Sequence, residues 1–163
     1  MLDHNKETIK ELFIKALNIL TREKDEIAAN FHAIKGQLFG TEELEAERSQ
    51  LQEELNVVAE LMQQCMNENA HVALDQTEYQ ARYDGLAERF DQTKAQLDEV
   101  ANAITERQAK KEQIERFIAR LEQQDGVVTE FDEEQWYSMV EYVTVFNKED
   151  IRFTFKDETE IKV

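Results

Sequence analysis

The 163-residue chain contains no proline, four glycines and a single cysteine. Loop-rich β-sandwiches and compact enzymes use proline and glycine at turns and at the ends of their elements, so this composition disfavours both classes. The single cysteine, Cys65, can form neither an internal disulfide nor a cysteine-type zinc site. The glycines stand at 36, 40, 85 and 126, which leaves no glycine-rich loop for binding phosphate.

Basic residues are also few, 19 against 36 acidic ones, so the formal net charge is −17. Phosphate binding needs a net basic surface, and the chain alone is therefore not expected to grip nucleic acid. No apolar run is long enough to cross a membrane, and the charges near the N-terminus do not fit a signal peptide. We expect no membrane partner and a cytoplasmic location.

The side chains that usually carry catalysis form no recognisable pattern. His4, His32 and His71 lie far apart, and none belongs to a zinc-protease motif. Carboxylate pairs are frequent, but at this acid density they are expected as chance neighbours on solvated helix faces. We therefore predict that this chain is not an enzyme and holds neither a metal nor a cofactor.

A heptad pattern dominates the centre of the chain. From Tyr79 to Leu121, thirteen positions alternate steps of four and three residues, and all but Thr93, Arg107 and Lys111 are apolar. Six heptads in register are typical of a coiled coil. The two basic seam residues either snorkel outwards beside acidic neighbours, or they control the register of the seam or belong to a seam that opens.

The same period runs from Leu44 to Cys65 and, in another phase, from Ile27 to Leu38, with a bend expected near Gly36–Gly40. Residues 24–69 and 77–124 are thus two arms of similar length, which predicts an antiparallel helical hairpin with its tip near 70–76. Asp75 and Glu78 form a capping box at the start of the second arm, with a hydrophobic staple across it. This start disfavours one continuous helix in a parallel dimer.

The two chain ends predict a small α+β base. An apolar stripe indicates a helix over 5–20, capped by Asn5 or Thr8, before a turn at Thr21–Glu26. Gly126 stands where a C-terminal cap belongs. Asp132–Gln135 and Phe131–Trp136 then predict a capped and stapled helix over 132–142. From 142 the period falls to two, which predicts a β-meander with turns at 147–150 and 157–158 and a third strand at 161–163.

The predicted fold class is therefore mainly α: an antiparallel coiled-coil arm (24–124) on an α+β base (1–23 and 125–163). Apolar and imidazole side chains cluster at the tip of this arm: Met66, His71, Val72, Leu74 and Tyr79. They either staple the helix and fill the end of the seam, or form a contact pad for a protein partner.

The tail resembles the C-terminal end of the large serine recombinases, the phage integrases and transposon resolvases of bacteria. In that family an F-(D/E)-x-x-x-W helix precedes a (V/I)-T-V strand and a run resembling (I/V)-x-F-x-F-K-D-G-T-E. The matching residues here are Phe131, Trp136, Val143, Thr144, Val145, Phe153, Phe155, Lys156, Asp157, Thr159 and Glu160, while Glu158 replaces the turn glycine. The helix at 7–20 resembles the one that follows the last zinc cysteine, and the family inserts its coiled coil between these two regions.

The resemblance implies a fragment of a DNA recombinase or integrase, without the serine-nucleophile domain, the recombinase domain or the zinc-ribbon cysteines. Zinc and most of the DNA-binding surface would then lie upstream in the parent protein. The family uses its coiled coil for contacts between subunits that favour synapsis of attachment sites and set direction, with a directionality factor as a further partner. In that case the contact pad at the tip would bind the coiled coils of other subunits.

Two other functions also use long helical arms. A free-standing holdase chaperone resembling prefoldin also grips clients with apolar helical tips, but such subunits place their β-hairpin between the helices, whereas here the predicted strands follow both. A tRNA-gripping helical arm is disfavoured because residues 41–69 carry eight acidic residues and one basic residue.

Overall fold

A computed structural model describes residues 5–72 and 75–163. Within these ranges the chain is mainly helical and ends in a small three-stranded antiparallel sheet, as the sequence predicts. The elements in chain order are α1 (Lys6–Arg22), α2 (Lys24–Phe39), α3 (Glu42–His71), α4 (Gln76–Gln123), α5 (Glu133–Met139), β1 (Val140–Asn147), β2 (Asp150–Phe155) and β3 (Glu160–Lys162).

The chain divides into two compact units. The first, here called the mixed unit, contains the chain up to Phe39 together with Ala109–Val163. The second, the helical unit, is Gly40–Gln108. The domain boundaries drawn from the sequence, with a base at 1–23 and 125–163 and an arm at 24–124, stay a prediction.

The N-terminal helix α1 is capped by Asn5, whose side chain accepts a hydrogen bond from the Glu7 N–H at 3.4 Å. Of the two predicted caps, Asn5 is therefore the one used. The six-residue turn predicted at 21–26 is wrong, because α1 continues to Arg22 and Glu23 alone separates it from α2. The Glu23 N–H donates to the Leu20 carbonyl at 3.0 Å, which closes α1.

The sheet has the order β1-β2-β3, and Phe153 of β2 lies between Val143 and Ile161. The predicted meander is confirmed, but β1 begins at Val140, two residues earlier than expected. Helix α5 ends at Met139 because the ladder takes over there: the Met139 carbonyl accepts from the Lys156 N–H at 2.9 Å, and Val140 pairs with Phe155.

The core of the mixed unit lies on one face of this sheet. Helices α1 and α5 cover it: the ring centroids of Phe13 and Trp136 lie 6.1 and 5.9 Å from that of Phe153. The C-terminal turns of α4 also contribute, with Phe117 at 6.1 Å from Phe155. The largest fully buried side chains here are Phe13, Leu17, Leu20, Phe117, Leu121, Met139, Ile151, Phe153 and Phe155.

Helix α2 follows the predicted seam only in its first half. Ala28 and Phe31 are buried in the core, whereas Ile34 and Leu38 are exposed. The prediction of a seam running through Leu38 is therefore wrong; at the end of α2 it is the partly buried Phe39 that packs against the core, with its ring centroid 6.3 Å from that of Phe31. The expected interruption is present just beyond, because α2 ends at Phe39 and α3 begins at Glu42.

The helical unit buries five of the predicted heptad positions, while most of the others are half-buried and Arg48 and Arg107 are exposed. Val58 and Cys65 of α3 and Thr93, Val100 and Ile104 of α4 are all buried. The neighbouring polar positions of both helices are mostly exposed. These buried positions are spaced four or seven residues apart, so each helix buries a narrow stripe of its surface.

Candidate functional site

The candidate site lies where α3 ends and α4 begins. Helix α3 stops at His71, and Val72 follows in an extended conformation while its N–H still donates to the Glu68 carbonyl at 3.0 Å. Asp75 caps α4 by accepting from the N–H groups of Thr77 and Glu78 at 2.8 and 3.2 Å. The cap predicted at Asp75 is confirmed, and both helix ends are fixed by local hydrogen bonds.

The predicted contact residues differ in exposure. Val72 is 59% exposed and Met66 38% exposed, and His71 is exposed as well. Tyr79 is half-buried, with its ring 6.1 Å from that of Tyr83. Leu74, and with it the predicted staple to Tyr79, lies outside the described residues.

Met66 therefore does not fill the end of the seam. The last buried seam residue of α3 is Cys65, which is 1% exposed. On α4 the aromatic pair of Tyr79 and Tyr83 occupies the corresponding first seam positions. Val72, Met66 and His71 thus lie on the surface, outside the buried Cys65 and the half-buried tyrosines. We call these three residues the tip patch.

Polar contacts join the two helices next to the tip patch. The Arg82 guanidinium donates to the Glu68 carboxylate at 3.0 Å, and this hydrogen bond raises the pKa of Arg82 above its ordinary value. The Gln76 side chain donates to Asn69 at 2.9 Å. Sequence reasoning missed both contacts, although reflecting position 68 about the centre of the predicted tip, residue 73, places it opposite 78, about one helical turn from 82.

A third contact continues the same pattern deeper in the unit. Arg89 of α4 lies 3.4 Å from the Glu54 carboxylate of α3. Across the three contacts, the residue number on α3 decreases as the residue number on α4 increases. Both ion pairs are substantially exposed, so each contributes little to the stability of the helix pair.

The two basic seam residues have separate environments. Arg107 is exposed, and its guanidinium donates to the Gly40 carbonyl at 2.9 Å, in the break between α2 and α3. This bond satisfies a backbone acceptor that the interrupted helix leaves free. Lys111 is half-buried. Arg107 thus snorkels out of the seam, but onto a carbonyl rather than beside acidic neighbours.

The tail residues that carry the family resemblance come together in the mixed unit. Phe131 and Trp136 pack at 6.0 Å, and Asp132 accepts from the Gln135 N–H at 3.0 Å, so the predicted staple and cap are confirmed. The Gln135 side chain binds Gln124 at 3.1 Å rather than completing a reciprocal box. The turn between β2 and β3 is held by Asp157, which accepts from the Thr159 hydroxyl at 2.6 Å and from its N–H at 3.0 Å.

Glu158, in the middle of that turn, has φ of +73°. It is the one residue other than glycine with positive φ in the described part of the chain. The left-handed region is the conformation that glycine adopts without steric cost. The turn thus keeps a glycine conformation at the position where the resembled motif has glycine.

Gly126 also has positive φ, +74°. It lies beyond the end of α4 at Gln123, and the Gln124 carbonyl there accepts from the Lys24 ammonium at 2.8 Å. A lysine placed at a helix C-terminus satisfies a free carbonyl and complements the helix dipole. The contact from α2 was not foreseen, because nothing local in the sequence relates 24 to 124.

The chemistry available at the tip patch is that of a contact surface. It offers two apolar side chains and one imidazole on a strongly acidic helix pair. Among the described residues, no three histidine, cysteine or carboxylate side chains are grouped so as to hold a metal ion. No described helix is both long enough and apolar enough to cross a membrane.

Comparison with known proteins gives no match: no family model, no curated protein and no solved structure is similar to this chain.

Proposed function

We propose that the chain is the C-terminal fragment of a site-specific DNA recombinase that resembles the large serine recombinases. In this proposal α3 and the part of α4 within the helical unit form an antiparallel coiled-coil hairpin. The hairpin makes contacts between subunits that control synapsis and the direction of recombination. The mixed unit is then the remainder of a zinc-ribbon domain whose zinc ligands lie upstream.

The single observation that carries the proposal is the backbone of Glu158. A side chain in the left-handed region costs about 1 kcal/mol, so a chain does not place glutamate there without a reason. The resembled tail motif supplies one, because it has a glycine at this turn position. In this proposal the backbone at Glu158 is strained because glutamate has replaced the glycine for which the turn conformation is suited.

The packing of the tail supports the same assignment. The Phe131–Trp136 contact and the buried Phe153 and Phe155 are the aromatic positions of the resembled motif. Their burial explains why such a motif needs aromatic residues at these spacings. Thr144, at the centre of the V-T-V triplet, lies on the opposite face of β1 from the core-packed Val143.

The coiled-coil hairpin is supported by the contacts between α3 and α4. The pairs Glu54–Arg89 and Glu68–Arg82 follow the order that an antiparallel pair requires. The buried seam residues recur at heptad spacing on both helices. Together these features match the geometry of charged flanks around an apolar seam.

The tip patch is the part of the hairpin that we assign to subunit contacts. Val72 and Met66 are exposed although Cys65 nearby is buried, so packing against the described residues does not explain them. The acidic residues of 41–69 suit an arm that meets protein rather than DNA. Leu74 and Tyr79 belong to the proposed contact by position, and DNA binding would come from the parent protein.

The partners follow from this assignment. They are the coiled coils of other recombinase subunits and a directionality factor, in the cytoplasm of a bacterium. Contacts of a few residues are weak alone, but two arms held on the same DNA have a high effective concentration. A small tip patch is sufficient for such a role.

The experiment that tests the proposal is to read the gene upstream of residue 1. We expect an open reading frame that encodes a serine-nucleophile domain and then four zinc-ligating cysteines. A natural start codon at residue 1 contradicts the proposal. In that case, suppression of client aggregation by the purified chain is the measurement that would favour the chaperone.

A further inference from the structure

The strand β1 is an open sheet edge in the mixed unit. It stands at one end of the order β1-β2-β3, so one side of its backbone faces no other strand. Among the described residues, the Val140 N–H donates to the Trp136 carbonyl of α5, and no backbone hydrogen bond from outside the sheet reaches 141–147. An open edge with unpaired N–H and carbonyl groups is a template for a further strand.

Three exposed residues in the middle of this edge are apolar, while the exposed Glu141 and Asn147 lie towards its two ends. Tyr142 and Phe146 are each more than half exposed, and Val145 is 37% exposed. Phe146 has no partner on β2, because the register passes from Val145–Ile151 directly to Asn147–Asp150. The segment 142–146 contains no charged residue and no proline, two of the devices that protect an edge, and the register irregularities of β1 lie towards its ends, at 140–142 and 145–147.

We propose that this edge pairs with the same edge of a second copy of the chain, antiparallel and centred on Thr144. The proposal does not depend on the recombinase assignment. It concerns a surface separate from the tip patch.

The sequence of the edge is complementary to itself in that register. With Thr144 opposite Thr144, each Tyr142 stands opposite Phe146 of the second copy, and each Val143 opposite Val145. Aromatic pairs and β-branched pairs are the combinations that stabilise neighbouring strands. Centring the pair on Val143 instead places Tyr142 opposite Thr144, which loses both aromatic pairs.

Arg152 lies on the same face of the sheet as Phe146. Its guanidinium lies 4.8 Å from the Phe146 ring centroid and is held by Asp150 and Glu160 at 2.8 and 3.1 Å. Arg152 pairs with Thr144 across the sheet. A second copy in the proposed register brings its Tyr142 beside this cation, where an aromatic ring is favoured.

The size of the contact sets its strength. One added strand pair buries less than the roughly 1,200–2,000 Å² of a standard stable interface. The net charge of −17 on each chain also opposes association at low salt. The dimer is therefore weak, and it becomes stronger as salt screens the repulsion.

The register is tested by disulfide trapping of the full chain. Tyr142→Cys and Phe146→Cys proteins are oxidised separately and as a mixture. The mixture is expected to give mainly the mixed dimer, because only 142 with 146 are directly opposite. The native Cys65 is buried, and the unmodified chain serves as the background. Equal yields from all combinations, or more cross-linking within each variant alone, overturn the register.

The association itself is tested by sedimentation equilibrium from about 10 µM to about 1 mM. We expect the average mass to rise towards that of a dimer. The double change Tyr142→Lys with Phe146→Lys should abolish the rise. The matched control is Val127→Lys with Tyr137→Lys, which adds the same charge at exposed sites of the same unit outside the sheet.

Circular dichroism melting establishes that each variant is folded. A chain that stays monomeric at the highest concentration overturns the proposal. So does a dimer that the β1 change leaves intact or that the control abolishes equally. Binding of an unrelated extended peptide at this edge, without self-association, would assign the edge to a different partner.

Discussion

Asn18 on α1 exchanges two hydrogen bonds with the backbone of Val128, 110 residues further along the chain. Its side-chain amide donates to the Val128 carbonyl at 3.0 Å and accepts from the Val128 N–H at 2.8 Å. The amide thereby supplies both partners that a neighbouring strand would offer. It fixes the segment after α4 against α1.

Replacing Asn18 with alanine should lower the free energy of unfolding by about 1–3 kcal/mol, because both backbone groups of Val128 lose their partner. Urea unfolding measures the loss. The control is Asn102→Ala, an exposed asparagine on α4, which shares the gain in helix propensity without the contact. Equal stability of the two variants would show that the Asn18 bonds contribute nothing.

Glu158→Gly should stabilise the chain by about 1 kcal/mol, because glycine adopts positive φ without steric cost. Glu158→Ala is the matched control: it also removes the ion pair with Lys110, at 3.7 Å, but it keeps the β-carbon. The difference between the two melting temperatures isolates the backbone term. If glycine and alanine are equally stable here, Glu158 is not strained.

Arg107→Ala should loosen the first turn of α3, since the Gly40 carbonyl loses its donor. The loss should lie at the low end of about 0.5–1.5 kcal/mol because the arginine is exposed. Amide hydrogen exchange of Glu45, whose N–H donates to the Thr41 carbonyl, reports it locally. Arg116→Ala, an exposed arginine elsewhere on α4, should leave that exchange unchanged.

Asp150 should titrate below its ordinary pKa of 3.8, because Arg152 donates hydrogen bonds to its carboxylate. A lowered carboxyl pKa means that the contribution to stability is present above the ordinary value. That contribution is lost as the pH falls through the lowered one. Carboxyl NMR titration measures the shift, and Arg152→Gln should bring the pKa of Asp150 back up. An Asp150 pKa at or above 3.8 in the native chain contradicts the contact.

Local sequence signals located the elements well. Asp75 and Asp132 cap the helices they were expected to cap, and the alternation from Val143 onwards gives the strands. Such signals are reliable because they depend on interactions between residues only a few positions apart in the sequence. The end of α5 was missed by three residues because the ladder from Lys156 to Met139 overrides the helical pattern.

Contacts between distant segments were not accessible in the same way. No sequence pattern near Asn18 predicts its contact with Val128. The basic residue Arg107 interrupts the apolar heptad pattern, and its contact with Gly40 becomes visible only in the structure. Phe117 lies outside the predicted heptad positions, so the heptad pattern does not predict its burial. With Ile114, Ile118 and Leu121 it forms a wider stripe, which is typical of packing on a globular core.

The measurement that tests the central claim most directly is synapsis by the parent recombinase carrying a change in the tip patch. Val72→Asp should leave binding to a single attachment site unchanged and lower synapsis about tenfold, the effect of losing about 1.4 kcal/mol of contact. Met66→Asp, Leu74→Asp and Tyr79→Asp should act in the same direction. Val57→Asp adds the same charge at an exposed apolar site on α3 away from the tip, and it should synapse normally. Normal synapsis by the Val72 variant, or an equal loss in the Val57 control, would contradict the assignment of subunit contacts to the tip patch.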